Sequence, residues 1–535
     1  NSESTNGGLI VPNQFFIKNS KQQASFNAYK FNTKRIVSTI FMVGTSWKNQ
    51  LFLDITGRND WSSALVYSYG IGNFSYFYPS VSGSWIITET FKDKLPKWVS
   101  FAKVRGSWAQ VGNDTSPYYI NSGYSVATYQ RGDKKFYGMT IPENMKSTNL
   151  KPERKNAWEV GLDWRFLDSR IGVDLTYYKE NTRNQIMTIN VPWESGVKEK
   201  LINAGNIQNS GIEIALNTTP IKKKQWQWDL NFTYTRNRNK IVELSPDVTS
   251  YINLDGAANY GNYRIASVAK VGSDYGMLMS DSWIKTDEKT GKPVVGYTNK
   301  FRTVYYKRGG TVKEVGSMLP NFLGSLNSTL RWKDLSLYVL FDARFGGYVA
   351  SYNSRYATAY GFSGETEKYR KGMTWTSKYA NAQDKVFTDG FIPDVVFDAG
   401  TIVTTPGGTN QDVSGMTYQE AYEKGYVEPA HLQSAAYFKN SWGTGVINDD
   451  WFKKINYIAL REITLSYNVP TKISSYIGAK NLSLSFTGRN LAYLLNTAPN
   501  HENPESVRGT GAAQFRMRSF MPYTASYLFT LNATF

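Results

Sequence analysis

The sequence predicts an all-β protein, a transmembrane antiparallel β-barrel, and three observations carry that reading. Bulky apolar residues alternate with polar ones over segments of about ten residues, the length a tilted strand needs to cross a bilayer. Short and long connections alternate down the chain. No run of about 18 apolar residues exists to form a membrane helix, so only strands could take the 535-residue chain across a membrane.

The alternation is explicit at residues 226–235. Trp226, Trp228, Leu230, Phe232 and Tyr234 fall on one face, and Gln227, Asp229, Asn231, Thr233 and Thr235 on the other, because successive strand side chains point to opposite sides. Trp158, Val160, Leu162, Trp164 and Phe166 oppose Glu159, Gly161, Asp163 and Arg165 in the same way. Ile171, Val173, Leu175 and Tyr177 oppose Gly172, Asp174 and Thr176, and Leu482, Leu484 and Phe486 oppose Ser483, Ser485 and Thr487. A soluble sheet with one wet face has the same period. The bulk of the apolar residues, the length of the runs and their aromatic ends favour lipid.

About fourteen such strands follow one another, at 22–32, 35–47, 50–57, 74–87, 101–110, 156–167, 170–185, 210–218, 225–240, 320–332, 335–345, 458–469, 480–488 and 525–535. After the second strand the link is short (Trp47-Lys48-Asn49-Gln50), then longer (58–73), then modest (88–100), then long (111–155). Leu167-Asp168-Ser169-Arg170 precedes 186–209, and Thr219 to Gln225 precedes 241–319. Trp332-Lys333-Asp334-Leu335 precedes 346–457, and 470–479 precedes 489–524. Outer-membrane barrels show this asymmetry, with short periplasmic turns and long extracellular loops. The last strand places Tyr527, Phe529, Leu531, Ala533 and the final Phe535 on one face, opposite Ser526, Thr530, Asn532 and Thr534. A terminal aromatic on such a strand resembles the signal read by the outer-membrane assembly machinery.

Composition narrows the classes without deciding among them. Mean hydropathy is −0.44, which excludes a helical membrane protein. Aromatic residues form 15% of the chain, suiting a surface that is apolar in its middle and wet at both rims, or a soluble β-protein that packs rings or binds sugars. The net charge of +18 could suggest nucleic acid, but the basic residues are scattered among acids and no nucleic-acid motif occurs. An anionic lipopolysaccharide surface accounts for the excess as well. Cysteine is absent. The polar start, Asn1 to Gly8, shows no signal-peptide pattern.

Chemistry is sparse. The two histidines, His431 and His501, lie in long links, and a positioned imidazole with an orienting partner is what hydrolytic sites need. No enzyme, no metal site and no cofactor are expected. Gly70-Ile71-Gly72 lacks the third glycine and the helix of a dinucleotide fingerprint. The 111–155 link carries Tyr118, Tyr119, Tyr124, Tyr129, Phe136 and Tyr137 among Asn, Ser and Gly, a mixture that suits sugar rings or else packs the loops against each other.

Several stretches together resemble the SusC/RagA family of TonB-dependent outer-membrane transporters. They are Gly57-Arg58-Asn59-Asp60-Trp61-Ser62-Ser63, Tyr78-Pro79-Ser80-Val81-Ser82, Val104-Arg105-Gly106-Ser107 and Val111-Gly112-Asn113-Asp114. Leu150-Lys151-Pro152-Glu153-Arg154 leads to Trp158-Glu159-Val160-Gly161, followed by Asn203-Ala204-Gly205, Gly211-Ile212-Glu213 and Phe345-Gly346-Gly347. Leu460-Arg461-Glu462-Ile463-Thr464-Leu465-Ser466-Tyr467 and Gly488-Arg489-Asn490-Leu491 complete the set.

The resemblance implies a barrel of about 22 strands with a plugged lumen, of which residues 1–535 are the C-terminal part. It implies energy delivered by the TonB complex through a plug segment, and a SusD-like surface lipoprotein as lid. It implies an oligosaccharide or peptide as cargo. The plug and early strands have no counterpart here, so a fragment or a cleaved piece is expected, completed by the remaining N-terminal part. Ser317 stands where an acidic residue is expected before Leu319-Pro320-Asn321, and Asn503-Pro504-Glu505 replaces the more usual Asp-Pro-Glu. The expected ligand contacts are Asn59, Trp61, Asn113, Asp114 and Tyr118, and the assembly signal is Tyr527, Phe529 and Phe535. Lys103, Arg105, Asp163, Arg165, Asp229 and Arg331 are expected to face inward, satisfying each other or the plug. Two rival readings remain: a self-contained passive channel or porin, which would carry no plug, and a glycan-binding β-protein, which would extract without detergent.

Overall fold

The principal sheet of the computed structural model has 15 strands, of which two short ones lie off its path, Asn144–Lys146 and Arg516–Met517. The remaining thirteen are β1 (Ile36–Trp47), β2 (Leu51–Ser62), β3 (Ser75–Ile86), β4 (Val99–Asn113), β5 (Glu153–Phe166), β6 (Ile171–Asn190) and β7 (Glu199–Lys222). They continue with β8 (Trp226–Glu243), β9 (Phe322–Trp332), β10 (Leu335–Ser351), β11 (Phe452–Val469), β12 (Asn481–Asn496) and β13 (Ser526–Thr534). Each is antiparallel to the next and all follow chain order. The structure describes residues 2–535 apart from 28–32, 256–264, 363–371, 432–446, 448–451, 508–510, 512–514, 518–521 and the single positions 15, 17, 18, 93, 122, 192, 247, 249, 250, 282 and 301.

The first strand expected from the sequence, 22–32, does not join this sheet. Its described part, Ser20–Asn27, forms a hairpin with Ser2–Leu9, and residues 28–32 lie outside the described residues. Phe26 is the one bulky apolar residue of Gln22 to Asn27, too little to define a lipid face.

Links on one rim are short (48–50, 87–98, 167–170, 223–225, 333–334, 470–480). Those on the other include 114–152, 244–321, 352–451 and 497–525. Local chemistry makes the tight ones. Lys48 and Asn49 both adopt positive φ (50° and 55°), and the Gln50 amide donates to the Trp47 carbonyl at 2.9 Å, a type I′ turn matching strand twist. Asp168 and Ser169 repeat it, with Arg170 N donating to the Leu167 carbonyl at 3.1 Å.

The register aligns the apolar faces across the sheet. Trp85 meets Val104, Trp108 meets Trp158, Leu162 meets Leu175, Phe232 meets both Leu216 and Leu326, and Phe486 meets Leu465 and Phe529. Among the described residues no second protein layer covers this face: Trp108 is 41% exposed, Phe486 52% and Phe529 73%. Groups this large are left open in a stable protein only where another apolar phase covers them. Paired aromatic rings mark its two margins. Trp226–Trp332 (5.6 Å) and Trp98–Phe166 (5.6 Å) sit at the short-turn rim, and Trp158–Tyr177 (5.4 Å), Tyr234–Phe322 (5.3 Å) and Phe322–Phe345 (4.8 Å) toward the loops. From Trp226 to Tyr234 is roughly 26 Å along the strand, most of an apolar band even after tilting.

β6, β7 and β8 run past the ends expected from hydropathy, to Asn190, from Glu199 and to Glu243. Backbone pairing continues there, and Ile189, Ile207 and Ile241 are buried in a cluster with Ile252 and Ala269 of the 244–321 link, so these ends pack against a loop and not against lipid. Beside them β10 breaks register between Phe345 and Tyr348. Gly346 takes φ +86°, and a Cβ on it would lie 2.7 Å from the Asn321 side chain, so glycine is required for the strand to leave the wall.

The two longest links are structured. Tyr251–Asp255, Ile265–Lys270, Met277–Ser280 and Lys313–Ser317 form a four-stranded sheet. Val294–Thr298 pairs in parallel with Val396–Phe397, clamping the 244–321 and 352–451 links together over a core that includes Val304, Phe391, Val403 and Tyr418. The helix Tyr418–Glu423 starts on a reciprocal Thr417–Glu420 capping box.

Candidate functional site

On the polar face, at the loop rim, the stretches singled out in the sequence meet one another. Asp60 is buried on β2, accepts from Arg58 Nε at 2.6 Å and accepts from the Tyr78 hydroxyl on β3. Ser62 donates to Asp114, which also pairs with Lys34. Asn113 Nδ2 donates to Glu153 at 3.0 Å, and Glu153 also accepts from the Ile186 amide at 2.9 Å. Asn203 accepts from the Lys151 amide at 2.6 Å and donates to the Lys151 and Asn184 carbonyls, both at 2.8 Å. Apart from the Arg58–Asp60 contact within β2, these bonds join different strands or links, so the collar fixes where successive strands emerge. Charge-assisted bonds of this kind are the strong ones.

A second knot of charges lies on β10 and β11. Arg461 on β11 donates to Glu505 through Nη1 and Nη2, each at 2.7 Å, and to Asp342 on β10 through Nη2 at 2.7 Å and Nε at 3.2 Å. Tyr493 also donates to Glu505, at 2.9 Å. Burial alone would raise the Glu505 carboxyl, but the guanidinium outweighs it and holds the pKa below the usual carboxylate value.

Nearby Glu502 is the opposite case. Burial pushes its pKa up to about 6, only partly offset by the 3.1 Å bond from the Ser351 hydroxyl. An acid raised on folding contributes stability below its unfolded pKa and loses it as pH rises through about 6. Glu502→Gln is therefore expected to hold the 497–525 link more firmly at pH 8, by about 1–2 kcal/mol, and to change little at pH 4.5. Proteolysis rates of that link at the two pH values check the sign.

Below the collar the polar wall pairs with itself. Arg105 lies 3.4 Å from Asp174 and 3.5 Å from Glu159, Arg165 3.4 Å from Asp163, and Arg331 3.0 Å from Asp229. Lys103 is on the same face, in register with Asp163.

The residues expected to contact ligand are divided. Asn113 and Asp114 belong to the collar. Asn59 and Trp61 alternate with Asp60 and share the outward face of Leu53 and Ile55; Asn59 donates to Ser75 Oγ at 3.1 Å. Tyr118 stands exposed in the 114–152 link with φ +61°. Tyr527 and Phe529 lie outward on β13, Tyr527 stacking on Phe486 at 6.2 Å, and the final Phe535 is exposed. Sequence reasoning passed over Arg58, Asp60 and Tyr78, although period-two alternation from Leu53 already assigns Asp60 to the polar side.

The 114–152 link projects a hairpin, Ser125–Arg131 and Lys134–Thr140. Val126 pairs with Met139, and Tyr124, Tyr137 and Ile141 fall beside them by register. Met139 is 76% exposed and Tyr137 73%. Such rings present open faces rather than packing against other loops. His431, by contrast, is buried against Phe387 (4.6 Å) and Trp375 (6.0 Å), and burial lowers its imidazole pKa below the usual value.

Comparison with known proteins gives consistent results. The family described as TonB dependent receptor-like, beta-barrel, matches residues 9–299. TonB-dependent receptor P26 of Formosa agariphila is 23% identical over 485 residues, covering 89% of this chain and 43% of its own. TonB-dependent receptor SusC of Bacteroides thetaiotaomicron is 28% identical over 270 residues, covering 48% and 26%. Among solved structures, the RagAB peptide transporter superimposes with a TM-score of 0.67 at 16% identity, over 99% of this chain and 51% of that one, a likeness of fold. The chain spans less than half the length of the curated relatives it matches.

Proposed function

The chain belongs to the TonB-dependent receptor-like β-barrel family, and from that premise we propose that it works in the TonB-driven import of an oligosaccharide across the outer membrane, under a SusD-like lipoprotein lid. The observation that carries this reading is the loop rim: an interlocked polar collar around the lumen, surmounted by open aromatic rings among amides and hydroxyls. Sugar rings stack their C–H faces on aromatics while their hydroxyls take hydrogen bonds. Transport without chemistry is supported by the setting of His431, which turns its imidazole into an aromatic cluster instead of toward the mouth. The plug and the TonB contact belong to the remaining N-terminal part of the transporter. A peptide is the second cargo, favoured by the fold likeness to a peptide transporter.

The apolar face of the hairpin, with Tyr137 and Met139, is assigned to the lid. Tyr137→Ser with Met139→Ser is expected to lower uptake about tenfold, equivalent to about 1.4 kcal/mol of lost contact, with surface abundance and heat-modifiable mobility unchanged. Growth on an oligosaccharide as sole carbon source, against growth on free monosaccharide, measures it. Wild-type growth of the variant on the oligosaccharide would overturn the lid contact, and growth lost on peptides alone would make peptide the cargo.

A further inference from the structure

We propose that the outward wall of β5 to β8, just beyond the loop-side aromatic row, is a built site for the phosphorylated, sugar-bearing headgroup of a lipid in the outer leaflet. The proposal rests on the outer-membrane barrel reading and adds a specific lipid contact to it.

The register shows how the lipid face ends. One rung aligns Val160, Tyr177, Ile212 and Arg236; the next aligns Trp158, Lys179, Ser210 and Arg238. The rung above aligns Asn156, Asn181, Gln208 and Lys240, and beyond it Arg154 faces Arg183. Within three rungs the outward face passes from apolar residues to rings and cations, then to amides and cations. Six cations stand on it, and none of the six makes an ion pair among the described residues. The opposite face of the same strands behaves otherwise: Lys155 pairs with Glu180 at 2.5 Å and Arg105 with Asp174 and Glu159. Carboxylates are thus available on these strands and are spent inward. Asp274 lines one cavity with Arg236 and Arg238, and Glu243 lies opposite Asn206 past a register shift.

Neighbouring cations without ion pairs repel one another, and a patch of them at the upper edge of a lipid-facing wall is stabilised by anions held beside it. Arginine and lysine suit phosphate oxygens, while the amide rung of Asn156, Asn181 and Gln208 suits sugar hydroxyls. A cavity of about 460 Å³ opens beside them where β8 continues past the last β8–β9 pair, Thr235 with Leu323. Tyr234 and Phe322 form its apolar floor, Arg236 and Arg238 one side, and Asn321 and Asp274 the other. Rings at the bottom and guanidinium groups above reproduce the polarity gradient of a lipid from its chains to its headgroup.

The test uses the full-length receptor purified from its own membranes in mild detergent, with retained lipid measured by native mass spectrometry. Lys179→Gln, Arg236→Gln and Arg238→Gln combined are expected to lower retained phosphorylated glycolipid roughly tenfold or more. Lys333→Gln, on the short-turn rim, should leave retention at the wild-type level. Receptor stripped of lipid and returned to bilayer discs should take up the glycolipid but not its dephosphorylated form, and millimolar inorganic phosphate should not displace it. Equal retention by the triple variant and the wild type would overturn the proposal. So would loss of an acidic protein, with lipid unchanged, on the triple substitution. Wild-type receptor that extracts without detergent or shows no heat-dependent mobility would instead sink the barrel reading beneath it.

Discussion

Leu230→Arg is expected to destabilise the barrel by about 2–4 kcal/mol, while Thr233→Arg on the same strand costs less than about 1 kcal/mol. Leu230 lies midway between Trp226 at the short-turn rim and Tyr234 at the loop rim, in register with Thr218 and Ser328. Its side shares the outward face with Trp228 and Phe232, so a guanidinium there must lose its hydration in hydrocarbon or drag water and headgroups inward. Thr233 faces the other way and hydrogen-bonds Ser325 at 2.6 Å, inside a wall already lined by Arg105, Arg165 and Arg331. The folded, heat-modifiable fraction of the full-length protein in outer membranes measures the difference. A protein layer over Leu230 would give the same order of cost, so the measurement is made on barrels in membranes; equal tolerance of both substitutions would remove lipid from the account.

The fold was legible where one physical rule governed it. Lipid on one side and water on the other impose a period of two, and thirteen strands from Ile36 to Thr534 follow it in chain order. The rule fails where lipid stops. The upper parts of β6 to β8 keep their pairing, but their apolar residues Ile189, Ile207 and Ile241 pack against the 244–321 link, so alternation there no longer reports a lipid face. It fails again in the long links, whose small sheets are made by contacts between distant segments, such as Val295 with Phe397. The Thr417–Glu420 capping box was a local signal there and points to the helix it begins. At the mouth, Asn113 and Asp114 were chosen for their stretch and fall in the collar. Asn59 and Trp61 came from an equally family-like stretch, yet alternation sends them outward and leaves Arg58 and Asp60 inside. Membership of a motif says less about a side chain's surroundings than its parity along the strand.

The largest effect expected at the mouth belongs to Arg461. Its guanidinium binds Asp342 on the barrel wall and Glu505 in the 497–525 link together, so it is the bolt between them. Arg461→Ala leaves two carboxylates facing one vacated site, with Tyr457 and Tyr493 still bonded to Glu505 at 3.3 and 2.9 Å. Breaking a fully buried pair costs about 3–5 kcal/mol; Asp342 and Glu505 are partly exposed, at 36% and 41%, so about 2–3 kcal/mol is expected once solvent screening is allowed for. That corresponds to roughly 30- to 150-fold more frequent opening of the link, read as its rate of cleavage by a protease added to intact cells. Lysine should restore little, because a single ammonium cannot span both carboxylates in the same geometry. Because Glu505 is held below its usual pKa, the bolt strengthens the fold above the unfolded carboxylate pKa and fails as pH falls through the folded one. Wild type and Arg461→Ala should therefore converge in cleavage rate once pH has fallen below the folded pKa of Glu505. Glu505→Gln combined with Arg461→Gln should recover part of the loss at neutral pH, since it removes one of the two stranded charges along with their shared partner. If the double variant opened as often as Arg461→Ala, the guanidinium would be acting through packing, and the link would be held by the Ser351 and Glu502 contact instead.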